Sequence, residues 1–338
     1  MTTIAEVAKR AGVSPTTVSY VINRKRFVTE ETRLRVEQAI AELGYRPNAL
    51  ARSLRVGHTR TLGLILPDSS NPFFAEIAHG IEQEAFSQGY SIILCNTDGD
   101  IEKERFYIHL LNDKQVDGVI LDTEAQTPQV LEAYLPSRLP VILVDRDFLN
   151  NPFDIVLADS FQGAIQAVNH LIELGHQRIA CIAGPQSLLS GIQRLEGYRQ
   201  AMQDAGLEVA PEWIRMGTFR VDAGRQAARQ LLGLPLPPTA IFACNDMMAI
   251  GTLRAAADLG IQVPRELSVI GFDDVEIAGY TSPALTTMAQ EKVEICRRAV
   301  ERLIQKIAQP NGEGTRDLVP NRLILRESTC PLQVVSKT

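Results

Sequence analysis

The chain has 338 residues, 45% hydrophobic and 22% charged, with a formal net charge of −6. That is enough length for two or three domains with a sizeable core, and not the composition of a disordered chain. Its apolar runs, such as 62–66 and 141–144, are short against the ~20 residues of a membrane-spanning helix. The first residues lack the apolar stretch of a secretory signal, so the protein is expected in the cytosol. Five cysteines (Cys95, Cys181, Cys244, Cys296, Cys330) are odd in number and widely spaced, which reads as buried reduced thiols. No histidine falls in an HxxxH or CxxH pair, and neither a GxxxxGK[ST] nor a GxSxG motif occurs. No metal, cofactor or catalytic residue is expected, and the chain does not read as an enzyme.

The charge is unevenly placed. Residues 1–60 hold eleven Lys and Arg against five acids, whereas the remaining 278 hold 23 basic and 35 acidic side chains. A small basic module is attached to a large acidic body. Phosphate neutralisation and a merely solvated basic face are both compatible with charge alone.

Ile4, Val7, Ala8 and Ala11 share one face of a short helix that Gly12 ends. Ser14 is suited to cap a second helix with Pro15 at its first position and Val18, Val21 and Ile22 on its apolar face, running to about Asn23. A third starts near Thr29, with Thr32 where a capping box would place Glu or Gln, and passes through Leu34, Val36, Ile40 and Leu43 to Gly44. This is a helix-turn-helix with a supporting helix. The outer face of the second helix carries Pro15, Thr16, Thr17, Ser19, Tyr20 and Asn23, followed by Arg24, Lys25 and Arg26. Short hydroxyls and an aromatic suit base edges in a major groove about 12 Å wide, with basic residues on phosphates. A plain three-helix bundle with a polar outer face is the alternative.

Next comes the segment 46–55. Pro47 breaks the third helix, Asn48 can cap, and residues 49–54 have helix propensity over less than two turns. So short a helix needs partners to form. Ala49 and Ala51 permit close approach, and Leu54 can wedge between base steps of a minor groove. A plain linker with a stray leucine is the other reading.

The patterns TIAEVAKRAGVSPTTVSYVIN and RFVTEETRLRVEQAIAELGYRPNALARSL resemble the DNA-binding headpiece and hinge of the LacI/GalR family of bacterial repressors. The resemblance implies base reading by Pro15, Thr16 and Tyr20. It implies phosphate contacts from Ser14, Thr17, Ser19, Asn23 and Arg26, and a hinge around Asn48, Ala51 and Leu54, with Leu54 as the wedge. Pro15 offers no side-chain hydrogen bond where family members often carry a larger or amide side chain. The implied organisation is a DNA-binding domain at 1–46, a hinge at 47–60 and an effector and dimerisation domain at 61–338. The chain lacks the leucine heptads of tetrameric relatives, so a homodimer reading a palindromic operator is expected.

From Thr61 onward short apolar runs alternate with helical patterns: 62–66, 92–95, 119–121, 141–144, 155–157, 179–183, 240–243 and 267–270. Continuous apolar strands predict parallel sheets covered on both faces, and two doubly wound α/β lobes are the natural packing. Ligands of such sheets sit beyond the carboxyl ends of the strands. Those positions hold Asn71, Phe73 and Phe74, then Asp145 and Arg146, then Asn245, Asp273 and Gln290, with Arg194 and Phe219 in later loops. Carboxylates, guanidinium groups and amides beside aromatic faces match the hydroxyls and C–H surfaces of a sugar. Taken singly, an Asp after a strand is more often a helix cap, as Asp246 and Asp274 can be, and Phe73 or Phe74 reads equally as core.

The body resembles periplasmic sugar-binding proteins of the ribose and allose type, through NPFF, the Asp145–Arg146 pair, RLEGY, the Phe after GT, CND, GFD and the Gln after TTMA. Purine-binding members of the family place an arginine where this chain has Leu188. The resemblance implies three crossovers between lobes, placed near Phe161, Gln290 and Leu323. The lobes are then 61–161 with 291–323, and 162–290 with 324–338. It implies a sugar effector, ribose first. Whether the sugar induces or corepresses stays open, as do a purine effector, a phosphoprotein partner, and a sugar-modifying enzyme with a DNA-binding appendage.

Overall fold

The computed structural model describes residues 2–23, 27–45, 58–148, 152–309 and 314–332. The chain divides into two compact units, Met1–Thr59 and Arg60–Thr338. In the first, α1 (Ile4–Ala11) opens on a capping box: Thr3 Oγ1 accepts from Glu6 N–H, and Glu6 Oε2 accepts from Thr3 N–H at 2.8 Å. Gly12, at φ 66°, ends it in the left-handed conformation that glycine tolerates. Helix α2 (Pro15–Asn23) starts on Ser14, whose Oγ accepts from Thr17 N–H at 3.1 Å. Helix α3 (Glu30–Leu43) lacks a side-chain cap on its backbone, because the Thr29 hydroxyl donates to Thr32 Oγ1 instead. Val7, Ala8, Ala11, Val18, Val36 and Ala39 form the buried core of this unit. Leu34, on the predicted helix, is 58% exposed and lies outside that core.

The second unit holds two six-stranded sheets. The first has the order β11-β5-β4-β3-β1-β2 and is parallel throughout: β1 Thr61–Leu66, β2 Ser91–Asn96, β3 Gly118–Leu121, β4 Val141–Val144, β5 Asp154–Ala158 and β11 Arg316–Val319. The second has the order β12-β10-β9-β8-β6-β7: β6 Ile179–Ala183, β7 Ile214–Met216, β8 Ala240–Ala243, β9 Ser268–Asp273, β10 Thr286–Gln290 and β12 Asn321–Ile324. Its strands are parallel except β12, which runs antiparallel to β10. Strands β3, β4, β6 and β8 are buried end to end, as continuous apolar runs between helical layers must be. Strand β2 departs from that expectation. It lies at a sheet edge with Ile93 and Leu94, which point to opposite faces, both exposed, so its apolar run is only partly covered on either face.

The chain passes between the sheets three times. Asp159 follows β5 and caps α7 (Ser160–Glu173), which packs on the second sheet. Gln290 ends β10, after which α11 (Lys292–Ala308) packs on β3, β4 and β5. The third passage is at Pro320, between β11 and β12, not near Leu323. Residues 321–323 therefore pair in the second sheet, a correction to the lobe boundary expected from the sequence. The runs RDLV and NRLI are too polar to mark where one strand ends and the next begins.

Helices α9 (Val221–Leu232) and α10 (Asp246–Asp258) pack at glycine-limited distance. A Cβ on Gly251 would meet Val221 O and lie 2.6 Å from Arg225 N; one on Gly224 would lie 2.7 Å from Met248 C. Backbone cannot yield as a side-chain tip can. Gly251→Ala is therefore expected to destabilise the body by roughly 2 kcal/mol, despite a helix-propensity gain of about 1 kcal/mol. A melting temperature lowered by about 4–8 °C in calorimetry would register it.

Candidate ligand cleft and recognition helix

Because all strands but β12 run parallel, their carboxyl ends converge on the gap between the two sheets, and the loops leaving them line a cleft of about 320 Å³. All ten residues picked from strand-end positions and loops line this one cleft. From the first lobe, Asn71 caps α4 (Pro72–Ser87), its Oδ1 accepting from Phe73 N–H at 3.1 Å. Phe73 is buried and Phe74 half-buried, their rings edge to face with centroids 5.2 Å apart. Asp145 and Arg146 leave β4. The Arg146 side chain, 8% exposed, donates through Nε to Asp122 Oδ1 at 2.9 Å and lies 3.5 Å from Glu124.

From the second lobe, Arg194, expected in a loop, lies instead on α8 (Leu189–Asp204); it donates to Cys244 O at 2.6 Å and Asp273 Oδ1 at 3.1 Å, and stacks 3.8 Å above the Phe272 ring. Gln290 Nε2 donates to the same Asp273 oxygen at 2.7 Å. Asn245 caps α10 through Oδ1 and donates Nδ2–H to Phe219 O at 3.1 Å. Capping and cleft lining are thus not alternatives for Asn71 and Asn245; each does both. Asp246 is neither cap nor lining. It is fully buried, and its carboxylate accepts from Val275 N–H and the Thr287 hydroxyl, tying α10 to β10 and to the segment after β9. Asp274 pairs with Arg326 at 2.7 Å.

Several cleft residues sit in the left-handed backbone region: Asp145 at φ 54°, Phe219 at 62° and Asp273 at 114°. Such conformations cost about 1–3 kcal/mol each and persist where the surroundings dictate them. Room for Phe219 comes from Gly184, at which a Cβ would collide with the phenyl ring.

Burial pushes the Asp122, Asp145, Asp273 and Glu124 carboxyls up, against the pull of Arg146 and Arg194. Asp145 is raised to about 6. Asp122 and Glu124 were not singled out in the sequence, yet Asp122 directly follows β3 and meets the strand-end criterion that selected Asp145. The rim residues Asp68, Asp98 and Arg220 also escaped notice.

In the first unit, Ser14, Pro15 and Thr16 are exposed at the start of α2, while Thr17, Ser19 and Tyr20 are half-buried. The Ser14 and Thr17 hydroxyls lie 2.9 Å apart. The side chain of Asn23 and all of Arg26, Asn48, Ala51 and Leu54 lie outside the described residues. Among the described residues, no cluster of three His, Cys, Asp or Glu could hold a metal, and no helix is long and apolar enough to cross a membrane.

A helix-turn-helix unit followed by a two-lobed α/β body, with charged, amide and aromatic side chains lining the interlobe cleft, defines a regulator with a binding-protein-like body. Residues 3–48 match the model of bacterial regulatory proteins, lacI family, and residues 168–329 match the periplasmic binding protein-like domain. The ribose operon repressor of Escherichia coli K12 is 42% identical over 319 residues, 94% of this chain and 96% of that one. The HTH-type transcriptional repressor PurR of Pasteurella multocida is 40% identical over 329 residues, covering 97% and 98%. Among solved structures, the Lac repressor dimer bound to operator and an anti-inducer aligns with TM-score 0.87 at 31% identity, covering 97% of this chain and 99% of that one. A LacI family regulator from Enterococcus faecium with bound ribose aligns with TM-score 0.72 at 32% identity, covering 81% and 100%. The chain belongs to the lacI family of bacterial regulatory proteins.

The raised Asp145 pKa has a signed consequence. Between the ordinary 3.8 and about 6 the folded chain holds this proton more tightly than the unfolded chain does, so stability falls as pH rises through that window. Asp145→Asn removes the penalty and keeps a residue suited to a left-handed backbone. Its ligand-free melting temperature at pH 7.5 is expected to exceed that of the parent by roughly 2–4 °C, with the gain gone by pH 4 in thermal-shift scans.

Proposed function

We propose that the protein is a transcriptional repressor whose hold on a palindromic operator is set by a small aldose, ribose first, bound in the interlobe cleft of a homodimer. The observation that carries this reading is the composition of the cleft. Three guanidinium groups, three carboxylates at strand ends and three amides stand beside the rings of Phe73, Phe74 and Phe219, within a space suited to one small ring. The ribose bound by the E. faecium relative supports the same ligand class. Leu188 lines the cleft where purine-binding members of the family carry an arginine, which weighs against the purine reading that the PurR relative raises.

The mechanism couples two equilibria. Sugar favours one angle between the lobes; that angle shifts the first lobes of a dimer relative to each other. The paired segments at 49–54 then gain or lose their helices on the duplex. Pro15, Thr16 and Tyr20 read bases, and Ser14, Thr17, Ser19, Asn23 and Arg26 hold phosphates. Asn48 and Ala51 shape the hinge, and Leu54 wedges the minor groove.

A thermal-shift screen of pentoses, hexoses and purines is expected to single out ribose, since a ligand of the native form raises its melting temperature. Arg146→Ala or Asp273→Ala should abolish the effect of ribose on operator gel shifts while operator binding itself persists; a retained response refutes the pocket. Leu54→Ala should weaken operator binding by about tenfold or more with sugar affinity intact. If neither changes, the wedge assignment is wrong.

A further inference from the structure

We infer that the cleft selects by charge as well as by hydroxyl pattern: it admits a free aldose and excludes the phosphate ester of the same sugar. The inference rests on the reading of the cleft as an aldose site. Six carboxylates line it, from Asp68, Asp98, Asp122, Glu124, Asp145 and Asp273, against three guanidinium groups, from Arg146, Arg194 and Arg220. Each guanidinium is already engaged. Arg146 is held by Asp122 and Glu124, Arg194 lies 3.1 Å from Asp273, and Arg220 lies 3.1 Å from Asp68.

Lys103, outside the lining, matches Asp98, and Lys292 behind the cleft matches Glu76 at 2.8 Å. The lining together with Lys103 thus keeps an excess of two carboxylates. One of them, Asp145, makes no side-chain hydrogen bond among the described residues.

A phosphoryl group brings a further −1.5 to −2 charges at neutral pH. It is normally met by free guanidinium or ammonium groups, or by an open helix N-terminus. The N-termini of α8 and α9 face the cleft, and neither Leu188 nor Arg220 supplies a side-chain cap. Their partial charges, about +0.5 each, together stay smaller than the excess of two carboxylates they would have to offset. For Arg146 or Arg194 to neutralise a phosphate it would have to give up its carboxylate and strand a buried charge, and the exposed Arg220 at the rim would have to give up Asp68. Hydroxyls face no such obstacle, because a carboxylate with an open lone pair accepts from them directly.

The test is calorimetry on the full chain at pH 8, at low and high salt, with D-ribose, D-ribose 5-phosphate and the uncharged 5-O-methyl-D-ribose. The ester is expected to bind at least about a hundredfold more weakly than ribose. The gap should narrow at high salt, and the ether should lose much less. An ester within tenfold of ribose overturns the inference and leaves the aldose reading standing. So does an ether rejected as strongly as the ester, since the exclusion would then come from bulk at O5 or from the lost pyranose ring rather than from charge. If no aldose and no ester binds, the aldose reading fails and the inference with it.

Discussion

A buried guanidinium cannot be left alone, and the cleft is organised around two of them. The side chains of Arg194 and Arg146 are 3% and 8% exposed. At such depth an uncompensated charge costs several kcal/mol, so each must carry carboxylates inward with it. Arg194 gathers Asp273 from the end of β9, the carbonyl of Cys244 beyond β8 and, through Asp273, Gln290 from β10. Arg146 binds the end of β4 to Asp122 and Glu124 beyond β3. Each lobe therefore presents a preassembled half-site whose charges are largely settled before any ligand arrives.

Behind the first half-site stands a further buried carboxylate. Glu104, on the helix Ile101–Asp113, accepts from the hydroxyls of Thr123 and Tyr134 and from Glu124 N–H at 2.6 Å. The loop that carries Glu124 toward Arg146 is thus fixed from both sides. Packing, capping and charge pairing act on the same few strand ends, which is why backbone strain at Asp145, Phe219 and Asp273 is held there.

Much of this was legible in the sequence, and unevenly so. The headpiece helices could be read because their apolar residues keep helical spacing and because Gly12 and Gly44 supply left-handed stops. The central strands could be read because a parallel strand covered on both faces is an unbroken apolar run. Strands β7 (IRM), β11 (RDLV) and β12 (NRLI) carry no such signal: all three lie at sheet edges and mix charge with apolar residues. The third interlobe passage was misplaced for that reason. In the cleft, a rule about strand ends found residues from five separate stretches of chain, with Arg194 and Phe219 added from two more. It was applied to β4 but not to β3, so the carboxylates that hold Arg146 were passed over. Which carboxylate answers which guanidinium is decided across tens of residues of chain and is invisible to local pattern.

Pro320 bears on how the body can move. It is the single residue between β11, at the edge of one sheet, and β12, at the edge of the other. Two peptide units span at most about 7 Å between flanking α-carbons. The two edges are consequently stitched together, and neither lobe can slide bodily away from its neighbour along that seam. What remains is rotation, as of two covers about a spine, so any loosening of the gap is felt as a change of angle at the far side.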